Sequence, residues 1–189
     1  MAIKIITDSG ADMPLELAKE LGVTVLPITV RFGDEEYRAG YDLTNDRFFD
    51  MLIETDEFPK TSAISPAVYE DAFREILGNG DEAIYIGLSS GLSGTIQSAM
   101  IAVSEVEDEY NKAVISVVDS KTATAGQYLL VCQALEYIKQ GLDRNEIVKR
   151  LENDRNNVQI IAMLDTLEYL HKGGRISAAA ATVGNMLSI

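Results

Sequence analysis

The sequence predicts an α/β fold in which a parallel sheet is sandwiched between helices over residues 1–156. One pattern in the sequence leads to this prediction. Short β-branched runs alternate along the chain with helical patterns of ten or more residues, and strands separated in this way pair in parallel through right-handed crossovers. Ligands in such folds bind at the carboxyl ends of the strands, so the loops there are the first candidates for a site.

Buried strands are expected where β-branched and other apolar residues form short runs between turn signals. The first run is residues 3–7, with three isoleucines. A longer run over residues 23–31 predicts the second strand, and residues 34–41 look like a turn or a hairpin tip. The same criterion predicts further strands over residues 83–88, 113–118 and 158–164.

Helix boundaries are marked by capping residues. Thr44 and Asp143 stand where an N-cap is expected, Pro66 suits a first helical turn, and Gly22 and Gly141 are typical helix stops. A turn is expected at residues 167–170. The predicted helices cover residues 14–21, 45–54, 66–77, 95–106, 124–140, 144–155 and 177–187.

Charge and composition exclude several classes of protein. Sixteen Lys and Arg residues against 30 Asp and Glu give a formal net charge of −14, so we expect no nucleic-acid partner, because such binding depends on clustered cations. The apolar runs are too short for a spanning helix, and no stable membrane insertion is expected. Cys132 is a single cysteine, and residues 1–7 lack the apolar core of a secretory signal, so we expect a cytoplasmic location.

The loop at residues 87–95, with the sequence GLSSGLSGT, is the sharpest local signal. It lies between a predicted strand and a predicted helix, where free N–H groups, hydroxyls and the helix dipole can hold an anion. The structural alternative is a glycine-rich turn in which Ser93 or Thr95 only caps the helix. The glycine spacing fits neither the phosphate loop nor the dinucleotide fingerprint.

The same loop formally contains the nucleophile elbow of an α/β hydrolase, with Ser89 as the nucleophile. A triad in the required chain order would add Asp119 or Asp165 and then His171, the one histidine of the sequence. The nearness of His171 to Asp165 in sequence and the lack of an early oxyanion loop count against a serine hydrolase, which stays open as an alternative.

A second hydroxyl cluster precedes the helix at residues 66–77. It contains Thr61, Ser62 and Ser65, which could cap that helix or could share one small anion with the Ser93 loop. Asp8 and Ser9 end the first predicted strand and could orient these loops.

Taken together, these segments resemble the DegV family of bacterial fatty-acid-binding proteins, from end to end and in the same order. The segments are TDS at 7–9, TS at 61–62 with SP at 65–66, SSGLSGT at 89–95 with QSA at 97–99, VDS at 118–120, and LEYL at 167–170 with GGRIS at 173–177. Ala63 and Ile64 depart from the family, which often has Gln and Pro there.

The resemblance implies a long-chain fatty acid buried between two α/β domains, residues 1–156 and a second domain starting at residue 157. It implies that Thr61, Ser62 and Ser93 bind the carboxylate and that Gly94 and Thr95 supply backbone donors. Asp8 and Ser9 would support these loops. Family members present the fatty acid to a separate kinase subunit, which converts the carboxylate to an acyl phosphate, and Arg175 would contact that kinase or the phosphate.

A lipid carrier of this kind needs no catalytic residue, metal or cofactor in its own chain, so we expect a non-enzymatic binding protein. Family members are longer than this chain, so we expect the second domain, residues 157–189, to be incomplete, as in a truncated protein. A non-catalytic remnant that forms a homodimer through exposed apolar surface is the remaining alternative.

Overall fold

The computed structural model describes residues 1–55, 57–110, 114–179 and 184. The strands are β1 (Ile3–Asp8), β2 (Val23–Leu26), β3 (Thr29–Phe32), β4 (Glu35–Arg38), β5 (Lys60–Ser62), β6 (Glu82–Gly87) and β7 (Ile115–Asp119). The helices are α1 (Leu15–Leu21), α2 (Asn45–Glu54), α3 (Pro66–Gly78), α4 (Thr95–Tyr110), α5 (Thr124–Lys139), α6 (Arg144–Asp154) and α7 (Glu168–Lys172). Residue 113, the first of one predicted strand, lies outside the described residues.

A four-stranded parallel sheet in the order β2-β1-β6-β7 forms the centre of the fold. Successive side chains of a strand point to opposite faces, and both faces here are apolar. Ile84 and Ile86 pack with α1, α5 and α6, whereas Ala83 and Tyr85 pack with α3 and α4. The mixed α/β fold predicted from the alternation of strands and helices is therefore confirmed.

The prediction of one strand over residues 23–31 is wrong. Pro27 separates β2 from β3, because proline lacks the N–H that a sheet ladder requires. After this break the chain enters a second, antiparallel sheet in the order β4-β3-β5, which the expectation of parallel pairing missed. The turn or hairpin tip expected at residues 34–41 is placed too late: the turn lies at residues 33–34, with Gly33 at a φ of 56°, and residues 35–38 form β4. Val30, Phe32, Leu43 and Met51 form a small core under α2.

Two of the predicted caps are confirmed by their hydrogen bonds. The Thr44 hydroxyl accepts from the Arg47 N–H at 3.2 Å, and the Asp143 carboxylate accepts from the Glu146 N–H at 2.9 Å. Ser65 precedes α3 as expected but makes no side-chain cap bond.

The strand predicted over residues 158–164 is also wrong. This segment has no regular secondary structure, and apart from the half-buried Val158 its large apolar side chains are exposed, to 93% at Ile161 and 100% at Met163. None of the described strands pairs with it. The turn predicted at residues 167–170 belongs instead to α7. The helix predicted over 177–187 is seen at Ala178, Ala179 and Gly184, and its other residues from 180 onward lie outside the described part. In the described chain, no helix combines the length and the apolar character needed to cross a membrane.

Candidate functional site

The two hydroxyl clusters singled out from the sequence lie against each other. A methyl group at Gly94 would lie 3.7 Å from Cβ of Ala63, the residue that follows β5. β5 is an edge strand of the antiparallel sheet, and Gly94 lies in the loop between β6 and α4. We call this contact between residues 61–63 and 92–94 the hydroxyl junction.

Arg175 connects both sides of the hydroxyl junction. Its Nη2 donates to the Thr61 hydroxyl oxygen at 3.4 Å, and its Nε donates to the Leu92 carbonyl at 3.2 Å. Its Nη1 donates to the Gly173 carbonyl at 2.5 Å, which holds the turn after α7 in the same place. The guanidinium therefore crosslinks three segments that lie far apart in sequence, and it stays exposed to solvent.

The remaining predicted ligands differ in accessibility. Ser62 is exposed, and Ser93 is half-buried with its hydroxyl accepting from the Thr95 N–H at 3.3 Å. Thr95 itself is fully buried, and its hydroxyl has no hydrogen-bond partner among the described residues. Thr95 therefore supports the start of α4, and its amide is already used by Ser93.

Asp8 is a buried anchor beneath this loop. Its Oδ2 accepts from the Leu88 N–H at 2.9 Å and from the Tyr85 hydroxyl at 2.6 Å, and its Oδ1 accepts from the Gly10 N–H at 2.9 Å. Tyr69 donates in turn to the Tyr85 hydroxyl at 2.8 Å. The Asp8 carboxylate thus accepts hydrogen bonds from backbone N–H groups at the start of two loops. It is also the final acceptor in a buried hydrogen-bond chain that runs from Tyr69 through Tyr85.

Burial raises the pKa of Tyr85 well above its ordinary value, and the neighbouring Asp8 carboxylate raises it further. Burial likewise raises the pKa of Tyr69. Both hydroxyls consequently keep their protons through the physiological range, and Tyr85 acts as a fixed donor to Asp8.

Ser9 links the two sheets. Its hydroxyl oxygen accepts from the Ile28 N–H at 2.9 Å, and Ile28 lies between β2 and β3. The bond holds the start of the antiparallel sheet against the end of β1, and so helps to position β5 at the hydroxyl junction.

The hydrolase alternative gains no support from the geometry. The Asp119 carboxylate accepts from the Ser90 hydroxyl at 2.6 Å and from the Lys121 N–H at 3.0 Å, and the Ser89 hydroxyl accepts from the Gly91 N–H at 3.2 Å. Among the described residues, no hydrogen bond joins Ser89, Asp119 or Asp165 to His171, which lies in α7.

The sequence and the fold resemble those of known proteins. The family model described as "uncharacterised protein, DegV family" matches residues 2–189. The chain belongs to the DegV family. A DegV domain-containing protein of Caldanaerobacter subterraneus subsp. tengcongensis is 34% identical over 99% of the chain, which spans 65% of that relative's length.

Solved DegV-type structures share the fold. A stearic-acid-binding protein from Eubacterium ventriosum is 32% identical with a TM-score of 0.81, over 96% of this chain and 64% of that one. DegV of Bacillus subtilis, described as a fatty acid binding protein, is 33% identical with a TM-score of 0.83, over 97% of this chain and 64% of that one.

Two further features of this DegV chain were missed by sequence reasoning. Gln127 of α5 is fully buried, and its amide nitrogen donates to the Thr7 hydroxyl at 3.0 Å and to the Ile86 carbonyl at 3.2 Å. The sequence pattern around Tyr85 indicates only an apolar residue in a buried strand, and it does not predict the hydrogen bond of the Tyr85 hydroxyl to Asp8. The signal available for Gln127 was a polar residue among the apolar residues of the first half of α5, because buried polar groups need partners.

Clefts flank the hydroxyl junction of the DegV fold on two sides. One, of about 450 Å³, lies between Leu92, residues 121–123 and the exposed apolar residues Ile160 and Ile161. The other, of about 430 Å³, is lined by Thr61 and Arg175 together with residues of α7. No cluster of potential metal ligands occurs in the described ranges.

We expect Ser90→Ala to make the stability of this DegV chain less dependent on pH. Partial burial raises the pKa of Asp119, but hydrogen bonds from Ser90 and Lys121 outweigh it and hold the pKa below its ordinary range. A depressed pKa stabilises the fold above about pH 4, and this contribution is lost as the pH falls through the folded-state value. The loss at pH 7 should be below about 1 kcal/mol, since Ser90 is exposed and Asp119 is only partly buried.

Urea unfolding of wild type and Ser90→Ala between pH 7 and pH 3 measures this effect. The gap in unfolding free energy between the two proteins should narrow toward pH 3, whereas exposed Ser104→Ala should give no pH-dependent gap. A gap for Ser90→Ala that is constant with pH would contradict the assignment.

Proposed function

We propose that this chain binds a long-chain fatty acid, with the carboxylate at the hydroxyl junction and the acyl chain along the neighbouring apolar surface. The observation that supports this most is the link made by Arg175 between Thr61 and Leu92, in a chain whose fold is that of proteins described as fatty-acid-binding. Because the chain spans about 65% of its relatives, ligand and partner are proposals for this sequence.

The hydroxyls of the junction suit a carboxylate. Since Arg175 donates to the Thr61 oxygen, the hydroxyl proton of Thr61 is left to donate to a ligand. Ser93 stands in the same relation, because its oxygen accepts from the Thr95 N–H. A hydroxyl polarised by a donor at its oxygen is a stronger donor itself. Ser62 is exposed beside Thr61, and Gly94 places no side chain between a ligand and the backbone.

Neutral donors leave the carboxylate reactive. A direct bidentate ion pair would hold it as a fixed salt, whereas hydroxyls orient it without neutralising its charge. Arg175 acts on the ligand indirectly, because its positive charge polarises the Thr61 hydroxyl that would donate to the carboxylate. The arrangement binds and orients a head group, and we assign no catalytic role to this chain.

The acyl chain would provide most of the affinity. Each buried CH₂ contributes about 0.8 kcal/mol, and the cleft beside Leu92 offers the exposed apolar side chains of Ile160 and Ile161 next to the junction. Residues 157–179, at the beginning of the second domain that we expect, would supply one wall of the binding site.

The bound carboxylate would be presented to a separate fatty acid kinase subunit, which converts it to an acyl phosphate. Arg175 remains exposed while it contacts both sides of the junction. It is thus placed to contact either the partner or the transferred phosphoryl group.

Thr61→Ala and Ser93→Ala should each weaken octadecanoate binding about 10-fold. Each removes one hydrogen bond to a charged group, worth about 1.5 kcal/mol at a partly hydrated site, and Thr61→Ala also removes one methyl group. Calorimetric titration with octadecanoate measures the change, and mass spectrometry of extracted lipid shows whether the purified protein carries a fatty acid.

Matched controls separate a head-group effect from a loss of folding. Thr24→Ala changes an exposed strand threonine and Ser104→Ala an exposed helix serine, and both should bind octadecanoate as wild type does. Wild-type protein that binds no fatty acid, or junction variants that bind as tightly as the controls, would refute the proposal.

A further inference from the structure

A concentration of positive charge lies beside the hydroxyl junction of this acidic protein. The cleft of about 430 Å³ that Thr61 borders is lined by three cationic residues, Lys60, Lys172 and Arg175, and by no carboxylate among its described lining residues. The whole chain has a formal net charge of −14. We call this the basic cleft.

A fourth cation extends the basic cleft along the antiparallel sheet. Arg31 of β3 stands directly opposite Lys60 of β5 in the strand register, so both side chains project from the same face. The two residues also border a neighbouring cleft of about 320 Å³ that shares Phe58 and Lys60 with the basic cleft. Like charges directly opposite each other destabilise a sheet, so this pair opposes stability unless an anion lies between or beside the two.

Acidic neighbours compensate this charge only in part. Lys172 pairs with Glu168 at 2.5 Å, Glu36 faces Arg31 from β4, and Glu57 borders the smaller cleft. Within the described residues, Lys60 and Arg175 have no carboxylate within ion-pair distance. Lys60 and Arg175 therefore give the cleft its excess of positive charge.

Aromatic rings give the basic cleft a rigid wall. The Phe58 and Tyr169 rings lie 5.8 Å apart with a tilt of 31°, and the Lys172 Nζ lies 5.9 Å from the Phe58 ring centroid. A lysine held over an aromatic face loses less conformational entropy when it binds an anion than a freely moving one.

We propose that the basic cleft binds a phosphate group. A phosphate carries close to two negative charges and three strong acceptor oxygens, which matches several cations better than a single carboxylate would. Lysine binds phosphate as a point charge, and Lys60 and Lys172 approach the cleft from opposite sides, one from β5 and one from α7. Thr61 borders both the cleft and the hydroxyl junction.

Two sources could supply the phosphate. One is a free phosphate ion or a small phosphate monoester that enters the cleft from solvent. The other is a lipid whose head group is phosphorylated while its chain lies at the hydroxyl junction, and this form rests on the proposed function. The two sources share one recognition chemistry and are separated by the choice of probe.

Three probes are titrated into the full chain: inorganic phosphate, octadecyl phosphate and octadecanoate. The double variant Lys60→Ala/Lys172→Ala should weaken octadecyl phosphate or inorganic phosphate binding by about 10- to 100-fold, since two charge-assisted contacts are lost. Octadecanoate binding should change less than about 2-fold. Lys139→Ala/Lys149→Ala removes two exposed lysines elsewhere and is the control of equal charge.

Each outcome decides the proposal. If the two double variants weaken phosphate binding equally, net charge alone is responsible and the basic cleft is not the site. Equal losses for octadecanoate and octadecyl phosphate also overturn it, as does wild-type protein that binds neither phosphate probe. One result separates the two proposals. If wild-type protein binds inorganic phosphate but no octadecanoate, and Lys60→Ala/Lys172→Ala loses the phosphate binding, the basic cleft is supported and the proposed function is refuted.

Discussion

Asp8→Ala is expected to lower the free energy of unfolding by about 3–5 kcal/mol and to weaken the fatty acid binding that we propose for this chain. The substitution leaves three donors without an acceptor: the buried Tyr85 hydroxyl and the half-buried N–H groups of Leu88 and Gly10. Each unsatisfied buried group costs roughly 1–3 kcal/mol, and the losses are only partly additive. Release of the Leu88 amide also frees the loop that carries Ser93.

Urea unfolding followed by circular dichroism gives the stability change from the midpoint at constant m value. Asp8→Asn keeps the size of the side chain but turns an amide NH₂ toward at least one donor, so its loss should be smaller. Asp50→Ala in α2 removes the same charge from an exposed helix position and should change stability by less than about 0.5 kcal/mol. Equal stabilities for Asp8→Ala and Asp50→Ala would show that the buried network contributes little.

The sequence predicts those features of the fold that are decided by nearby residues or by the order of strands and helices. The N-caps Thr44 and Asp143 were identified because capping is decided within a few residues. The parallel sheet followed from alternating strands and helices, since long crossovers favour parallel pairing. The serine loop was found as a site candidate because strand ends meet at one edge of such a sheet.

Long-range features were not visible in the sequence. Pro27 lies inside an apolar run, and only the observed pairing shows that the run divides between two sheets. The run at residues 158–164 has strand composition, but a strand forms only where a neighbour satisfies its backbone, and none of the described strands does. The Arg175 bond to Thr61 joins residues 114 positions apart, a pairing that no local pattern encodes.

Gly87→Ala should destabilise the protein by about 1–3 kcal/mol through the same network. Gly87 ends β6, and a methyl group there would lie 2.6 Å from the Tyr85 hydroxyl oxygen and 2.7 Å from Cδ1 of Ile96. Both atoms belong to packed, buried side chains, and overpacking of a filled core costs this much. Movement of Tyr85 would also break its bond to Asp8.

Gly91→Ala is the matched control in the same loop, because a methyl group at Gly91 meets only the Ser89 hydroxyl oxygen at 3.5 Å, an ordinary contact. Urea unfolding should place Gly91→Ala within about 0.5 kcal/mol of wild type and Gly87→Ala well below both. If Tyr85 can swing aside freely, the two variants will be equally stable. In that case the Tyr85–Asp8 hydrogen bond contributes little to stability, and the loss expected for Asp8→Ala must come from the Leu88 and Gly10 amides alone.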